Sequence, residues 1–115
     1  MAKAVEVAWH LTPFRSDEFV AGLKPYAELA INYGASGYLV VRQADDELIV
    51  KQYAFFTNKE DWERYWYSET MQQARAELTG HYAVPVLYSW QEVITHGHIS
   101  GDSDQVAAAA AADED

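Results

Sequence analysis

The first apolar residues of the chain alternate with polar or small ones. Within residues 3–12 the large apolar side chains stand at every second position, at Val5, Val7, Trp9 and Leu11. Because successive side chains of a β-strand point to opposite faces, this spacing predicts a first strand with one strongly apolar side.

The spacing then changes to the three- and four-residue steps of a helix. Apolar residues recur in this way from Phe19 to Ala30, and Ser16 before them is a suitable N-cap. Pro25 lies inside the pattern and lacks a backbone donor, but the apolar face keeps its phase across it. We therefore expect a kink in this helix and not a break. Gly34 is the expected C-terminal stop.

Two segments rich in β-branched and aromatic residues follow. They cover residues 38–43 and 48–56, with the turn-forming sequence ADDE between them, and together they predict a β-hairpin. Asn58 or Thr57 is positioned to cap the aromatic helix that comes next. A last strand is predicted over residues 84–94.

The predicted order of elements is β-α-β-β-α-β, the ferredoxin-like arrangement. The fold class is therefore α+β, with a four-stranded antiparallel sheet that carries both helices on one face. The other sheet face would hold many apolar side chains in contact with water, and exposed apolar surface on that scale indicates an interface. We expect a homodimer that packs sheet against sheet and closes an α+β barrel.

The aromatic helix contains an internal conflict. Residues 61–80 read DWERYWYSETMQQARAELTG, and in a straight helix each residue turns by about 100°. Trp62 and Trp66 would then share one face, while the later apolar residues would lie on nearly the opposite face. One straight helix cannot bury both faces against one sheet, so we expect a break at Ser68, which can cap a restarted helix.

The break defines a candidate pocket. It would leave Trp66 and Tyr67 beside a gap between helix and sheet, where a flat ligand could enter. Trp62 is assigned to the core. Tyr65, Trp66 and Tyr67 cannot all face one interior, so a core role and a pocket role both stay open for them. Arg75 is either a solvated side chain or a ligand clamp.

Histidines supply the candidate proton-transfer groups. His81 and Tyr82 follow the helix, and His81 is either a general base at the pocket mouth or an ordinary loop histidine. His10 stands on the less apolar side of the first strand. His96 and His98 match no strong zinc spacing, so no metal site is predicted.

Composition narrows the class of protein. The chain has 115 residues and no cysteine, which fits one domain without disulfides or thiolate chemistry. The N-terminus lacks the continuous apolar run of a signal peptide, and no stretch approaches the roughly 20 apolar residues of a membrane span. We therefore expect a cytoplasmic protein with no membrane partner.

The net charge is −10, and residues 97–115 form an acidic tail with six consecutive alanines. We expect residues 1–96 to form the domain and residues 97–115 to form a solvated or flexible extension. Scattered bases in an acidic chain argue against nucleic acid as a partner. The chain has no P-loop and no GxGxxG sequence, so no cofactor is predicted.

Four segments carry a resemblance to a known family. They are the opening strand VEVAWHLTP, the hairpin GYLVVRQADDELIVKQYAFF, the segment FFTNKEDWERYWYSETMQQARAELTG and the closing strand VPVLYSWQEVI. Together they resemble the antibiotic biosynthesis monooxygenase-like family of the dimeric α+β barrel superfamily, over most of residues 4–95. The resemblance implies face-to-face dimers with a ligand cleft between helices and sheet in each subunit.

The resemblance further implies that some members of that family oxidise aromatic polyketide phenols with O₂ and use neither flavin nor metal. Aromatic side chains would stack the substrate, and polar ones would deprotonate it and hold the anion. On this basis the candidate catalytic residues are His81 and His10. The candidate substrate contacts are Tyr65, Trp66, Tyr67, Arg75 and Tyr82.

Another branch of the family degrades haem, with an Asn on the first strand, a Trp on the second helix and a later iron-ligating His. Placing Ser68 over the helix break of that pattern puts Tyr65 in the Trp position and Arg75 in the His position. The first strand has no Asn. Haem degradation by that mechanism is therefore disfavoured.

Three functions stay open from the sequence. The first is a cofactor-independent oxygenase, or a related isomerase or cyclase, acting on an aromatic or polyketide-like small molecule. The second is a non-catalytic domain that binds a flat aromatic small molecule, and the third is a structural domain whose aromatics only close the core. The space beside Trp66 distinguishes them, because a ligand needs a cavity there.

Overall fold

The computed structural model describes residues 3–97. The tail predicted over residues 97–115 lies outside this range except for its first residue, as does His98. The elements are β1 (Lys3–His10), α1 (Ser16–Glu28), a 3₁₀ helix (Leu29–Tyr33), β2 (Gly37–Arg42), β3 (Ile49–Phe56), α2 (Lys59–Trp66), α3 (Glu69–Glu77) and β4 (Leu87–Glu92). Within residues 3–97 no helix is long and apolar enough to cross a membrane.

The four strands form one antiparallel sheet in the order β2-β3-β1-β4. Val5, Val7 and Trp9 of β1 are buried in one core with Phe19 of α1 and Trp62 of α2. The helices therefore cover the sheet face that the alternation in the first strand marked as apolar. The predicted ferredoxin-like α+β fold is confirmed.

The opposite sheet face is not covered by any element within residues 3–97, and we call it the open face. Alternation along the strands places Glu6 and His10 there, together with apolar residues such as Leu39 and Leu87, which are 49% and 67% exposed. This surface is the one from which a homodimer is expected, and the dimer stays a prediction.

The start of α1 differs from the expected cap. Ser16 is the first helical residue and makes no capping hydrogen bond to the helix. Its hydroxyl instead donates to the carbonyl of Glu47 at 2.6 Å and accepts from Arg42 at 3.1 Å. The prediction of Ser16 as an N-cap is wrong because this buried hydroxyl ties α1 to the β2–β3 hairpin.

The end of α1 follows the prediction. The helix runs through Pro25 to Glu28 and then tightens into the 3₁₀ helix. The carbonyl of Tyr26 near this transition accepts a hydrogen bond from the Tyr65 hydroxyl at 2.8 Å. Gly34 closes the segment at a φ of 102°, a conformation that glycine adopts without steric cost.

The predicted break in the aromatic helix is confirmed. Ser68 separates α2 from α3, and its hydroxyl accepts from the Met71 amide at 3.1 Å while donating to the Tyr65 carbonyl at 2.8 Å. Asn58 is the cap of α2, accepting from the Asp61 amide at 2.9 Å. Both caps satisfy amides that have no partner inside a helix.

The first and last strands are shorter than predicted. β1 ends at His10, after which Leu11 forms an isolated bridge to Tyr82 and its amide donates to the Leu48 carbonyl at 2.8 Å. β4 begins at Leu87 and not at residue 84, because Pro85 has no N–H with which to extend a strand ladder.

Candidate functional site

Arg75 lies on the face of Trp66. The guanidinium carbon is 4.4 Å from the centroid of the Trp66 ring, the geometry of a cation–π interaction. Trp66 ends α2 and Arg75 lies in the last turn of α3. The break at Ser68 turns α3 so that the later residue folds back over the earlier one.

Arg75 has no acidic partner within residues 3–97. Its side chain forms none of the ion pairs there, and its Nη1 atom is buried without a hydrogen-bond partner. Burial lowers the pKa of Arg75, and the neighbouring Tyr82, Tyr67 and Tyr65 act in the opposite direction. Arginine stays protonated at neutral pH, so the cluster holds a positive charge that no carboxylate of this region neutralises.

Tyr82 completes one side of this cluster. Its hydroxyl donates to the backbone carbonyl of Arg75 at 3.1 Å, and its ring meets the Trp9 ring edge-on with centroids 5.0 Å apart. Burial raises the pKa of the Tyr82 phenol, and the charge of Arg75 partly opposes the rise. The structure thus brings together three of the predicted substrate contacts, Trp66, Arg75 and Tyr82.

Tyr67 stands on the outside of the cluster. Its side chain is 56% exposed, and its hydroxyl pairs with that of Tyr88 at 3.2 Å. The Tyr88 ring lies edge-on to Trp62 at 5.2 Å and to Trp66 at 6.0 Å. The bond to Tyr67 and then burial raise the pKa of Tyr88, while the nearby Trp62 side chain acts in the opposite direction.

Sequence reasoning missed Tyr88. The signal was present, because alternation along the last strand places Tyr88 and Trp90 on one side, and pairing with Val7 and Val5 turns that side toward the helices. What the sequence lacked was the register that decides which side faces the core.

The space beside Trp66 is filled by aromatic rings. The side chain is 4% exposed, it stacks on Trp62 at 5.2 Å with planes 18° apart, and Trp9 lies at 5.9 Å. The expected gap at this corner is therefore wrong, because three indoles pack into it. Clefts open elsewhere in residues 3–97, among them one of about 500 Å³ at the open face beside Phe55 and one of about 330 Å³ between α1 and β2.

Tyr65 lies in the interior. Its hydroxyl accepts from Gln52 Nε2 at 3.0 Å and donates to the Tyr26 carbonyl at 2.8 Å, while Gln52 Oε1 accepts from the Trp9 indole at 3.1 Å. Burial raises the pKa of the Tyr65 phenol. These bonds account for both groups as a satisfied buried network, and the sequence showed Gln52 only as an inward polar residue among apolar ones.

The two candidate catalytic histidines lie apart. His81 Nε2 is 3.2 Å from a carboxylate oxygen of Glu18 on α1, and its Nδ1 is buried without a partner. His10 is exposed on the open face, on the side of the sheet opposite Trp66. The structure therefore does not bring His10 together with the cluster of Arg75, Trp66 and Tyr82.

The charge of the cluster is carried by Arg75. No group of three or more His, Cys, Asp or Glu within residues 3–97 is placed to hold a metal ion. The planar guanidinium of Arg75 lies on an indole, and arginine in general pairs with anions and stacks on aromatic faces.

Comparisons with known proteins locate this fold. No family model matches the sequence, and no curated protein matches it. Among solved structures, a protein of Nitrosomonas europaea named as a proposed antibiotic biosynthesis monooxygenase is 14% identical. That match covers 81% of this chain and 99% of the other with a TM-score of 0.72.

Two further solved structures have the same fold. SnoaB of Streptomyces nogalater, a cofactor-independent oxygenase, is 10% identical over 83% of this chain and 95% of its own, with a TM-score of 0.69. Rv0793 of Mycobacterium tuberculosis is 14% identical over 85% of this chain and 100% of its own, with a TM-score of 0.70. The chain therefore has the fold of the antibiotic biosynthesis monooxygenase-like proteins, and the resemblance found in the sequence is confirmed at the level of the fold.

Proposed function

We propose that this protein binds a flat aromatic small molecule with an ionisable oxygen at the cluster of Trp66, Arg75 and Tyr82, and oxidises it with O₂ without a cofactor. The observation that carries the proposal is the half-buried Arg75 charge, which has no carboxylate partner within residues 3–97. A buried charge is costly unless it is paired, and an anionic ligand would pair it.

Binding at this cluster requires that a side chain moves, because rings fill the space beside Trp66. Tyr67 is the side chain best placed to move. It is more than half exposed, and its phenol is held by one hydrogen bond, to Tyr88. Tyr67 is near enough to Arg75 to raise the pKa of its guanidinium, so we propose that the ligand enters by displacing Tyr67.

The chemistry follows from the charge. A nearby cation stabilises the ionised form of a phenol and so lowers its pKa. The resulting phenolate can pass an electron to O₂. In the complete reaction one oxygen atom of O₂ becomes a carbonyl at a carbon that loses its C–H hydrogen, and the other leaves as water with the hydrogens given up by the substrate. The likeness in fold to a cofactor-independent oxygenase supports this reaction. His81, which directly precedes Tyr82 in the chain, remains the proposed proton-transfer group. His10 is not proposed for this role, because it lies on the opposite side of the sheet.

The test is oxygen consumption by the purified protein with a phenolic anthrone and with its O-methyl ether. We expect turnover of the phenol only, and a loss of at least about tenfold in Arg75→Met and in Trp66→Ala. Arg64→Met is the matched control, because Arg64 is an exposed arginine paired with Asp61 at 2.9 Å. Equal turnover by Arg75→Met and the parent protein would exclude the proposed site.

A second function is favoured by the packing itself. The rings around Trp66 fill the corner as a core would, which supports a structural domain whose aromatics only close the core. Quenching of tryptophan fluorescence by the phenol without product formation would support a non-catalytic binding domain instead. Absence of both quenching and turnover would support the structural role.

We also propose that the functional unit is a cytoplasmic homodimer formed through the open face. Exposed Leu39, Val41 and Leu87 lie on this face, and apolar surface of this kind is covered in a stable assembly. Sedimentation velocity over a range of concentrations tests the dimer. A single monomeric species at every concentration would overturn it.

A further inference from the structure

The open face has an unusual distribution of polar groups. Its outer strands carry apolar Leu39, Val41 and Leu87 beside polar Ser89 and Gln91. Its centre, on the two middle strands, holds the charged and hydroxyl side chains of Glu6 on β1 and of Lys51 and Tyr53 on β3, with His10 at the end of β1. Interfaces between proteins commonly have the reverse arrangement, an apolar centre with a polar rim. A partner of this face must therefore satisfy charges at its centre.

The central charges are only partly satisfied within one chain. The Tyr53 hydroxyl donates to Glu6 Oε2 at 3.0 Å. Lys51 Nζ is 3.9 Å from Glu6 Oε1, which is beyond hydrogen-bond length. Within residues 3–97, Glu6 Oε1 accepts no side-chain hydrogen bond and the Lys51 ammonium donates none. One acceptor and one cationic donor group thus remain for a partner.

Covering the face with an apolar partner would remove water from both charges. The Glu6 and Lys51 side chains are 24% and 42% exposed, so both are now hydrated. Burying a charge without a new partner is strongly unfavourable. An apolar protein surface or a neutral apolar ligand is therefore a poor match for the centre of this face.

A second copy of the chain supplies the missing partners by symmetry. A two-fold axis parallel to the strands, over the space between β1 and β3, places β1 of one copy across from β3 of the other. Glu6 of one copy then lies across from Tyr53 of the other, with Lys51 two residues further along the same strand. A two-fold interface repeats the contact in the opposite sense. Face-to-face sheets are about 10 Å apart, a distance that a glutamate and a lysine can span together.

We infer that Glu6 and Lys51 pair between copies across the open face and set how the two sheets align. The inference rests on the homodimer proposed above. Each dimer holds two such pairs, and Tyr53 fixes the Glu6 carboxylate from within its own chain. The occupant of the face is a second copy of this chain, because one surface carries both members of the pair.

The experiment uses two variants, one in which both residues of the proposed pair are positive and one in which both are negative. Glu6→Lys gives a face with only positive charges at its centre, and Lys51→Glu gives one with only negative charges. Each variant alone would bring like charges together, so we expect the dimer dissociation constant to rise at least about 100-fold, as for a broken buried pair. Mixing the two variants restores both pairs, so we expect a one-to-one heterodimer.

Native mass spectrometry with one variant isotopically labelled reads out the heterodimer, and circular dichroism confirms that each variant is folded. Glu28→Lys is the matched control, since it makes the same charge change on an exposed residue of α1. If Glu6→Lys does not fold, the milder pair Glu6→Gln and Lys51→Met is used. These variants are expected to weaken the dimer and to remove its dependence on salt.

The outcomes are distinguishable. If the parent protein is monomeric, the homodimer and this inference both fail. If the parent is dimeric and each single variant stays dimeric, the homodimer stands and the pairing is wrong. The pairing is also wrong if both variants are monomeric and the mixture gives no heterodimer.

Discussion

Arg75 rests its guanidinium on the indole of Trp66, 4.4 Å from the ring centroid, although the two residues belong to different helices. The contact exists because the chain leaves α2 before Ser68, and Ser68 caps a new helix, α3, that runs in a different direction. It places the charge of Arg75 against the buried ring of Trp66.

Arg75→Met is expected to separate binding from stability. The substitution removes a desolvated charge with no acidic partner within residues 3–97, and it loses a cation–π contact of about 0.5–1 kcal/mol. The free energy of unfolding should therefore change by less than about 1 kcal/mol, while affinity for a phenolic ligand falls. Urea unfolding and fluorescence titration measure the two effects. A loss of stability above about 2 kcal/mol would show that Arg75 is mainly structural.

Gln52→Leu is expected to destabilise the protein by about 1–3 kcal/mol, because it leaves the Trp9 indole N–H buried without an acceptor. Combining it with Tyr65→Phe should cost less than the sum of the single changes, since both remove the same hydrogen bond. A double-mutant cycle by urea unfolding measures the coupling. Gln73→Leu, at an exposed position of α3, serves as control. Strict additivity would contradict the network.

Ser68→Ala removes the cap of α3 and should lower stability by about 1 kcal/mol. Ser68→Asp keeps an acceptor for the Met71 amide and should restore most of the loss. Thr70→Ala tests whether the effect is specific to the cap, because Thr70 is exposed within the first turn of α3. Thermal unfolding of the three variants decides the point, and equal melting temperatures would count against the cap.

Alkaline pH should destabilise the fold through Tyr65. Burial raises the pKa of this phenol above its ordinary value of 10.0, so above about pH 10 the unfolded chain loses a proton that the folded chain keeps. Stability is fully present below that pH and falls as pH rises, by up to about 1.4 kcal/mol per pH unit for one group.

Tyr65→Phe should therefore show a shallower decline above about pH 10 than the parent protein. A residual slope is expected, because Tyr82 and Tyr88 also have raised pKa values. Urea unfolding at several pH values between about 9 and 11 measures the slopes. Equal slopes in the two proteins would mean that Tyr65 is not the group that controls alkaline unfolding.

Much of the architecture could be predicted from local sequence patterns. The alternation around Val7, the helical spacing after Ser16 and the opposed apolar faces on either side of Ser68 each depend on neighbours within one or two turns. Such patterns identify elements and their buried sides without knowledge of the fold. The cap predicted at Ser16 failed because its hydroxyl bonds to Glu47, which is 31 residues away.

The candidate site was less accessible from the sequence. The sequence identified Arg75, Trp66 and Tyr82 as candidate substrate contacts. Whether they contact one another depends on the angle between α2 and α3 and on the course of the chain from α3 to Tyr82. Tyr88 and Gln52 were missed because strand register decides whether a polar group faces the core or water.

The sequence by itself determined the order of elements, the break at Ser68 and the apolar side of the first strand, since these follow from periodicity and capping. Only the tertiary structure decided that indole rings fill the corner beside Trp66, that Arg75 lies there without an acidic partner within residues 3–97, and that Glu6 and Lys51 share the centre of the open face. Those facts depend on distances between residues far apart in the chain, which packing sets and local pattern does not contain.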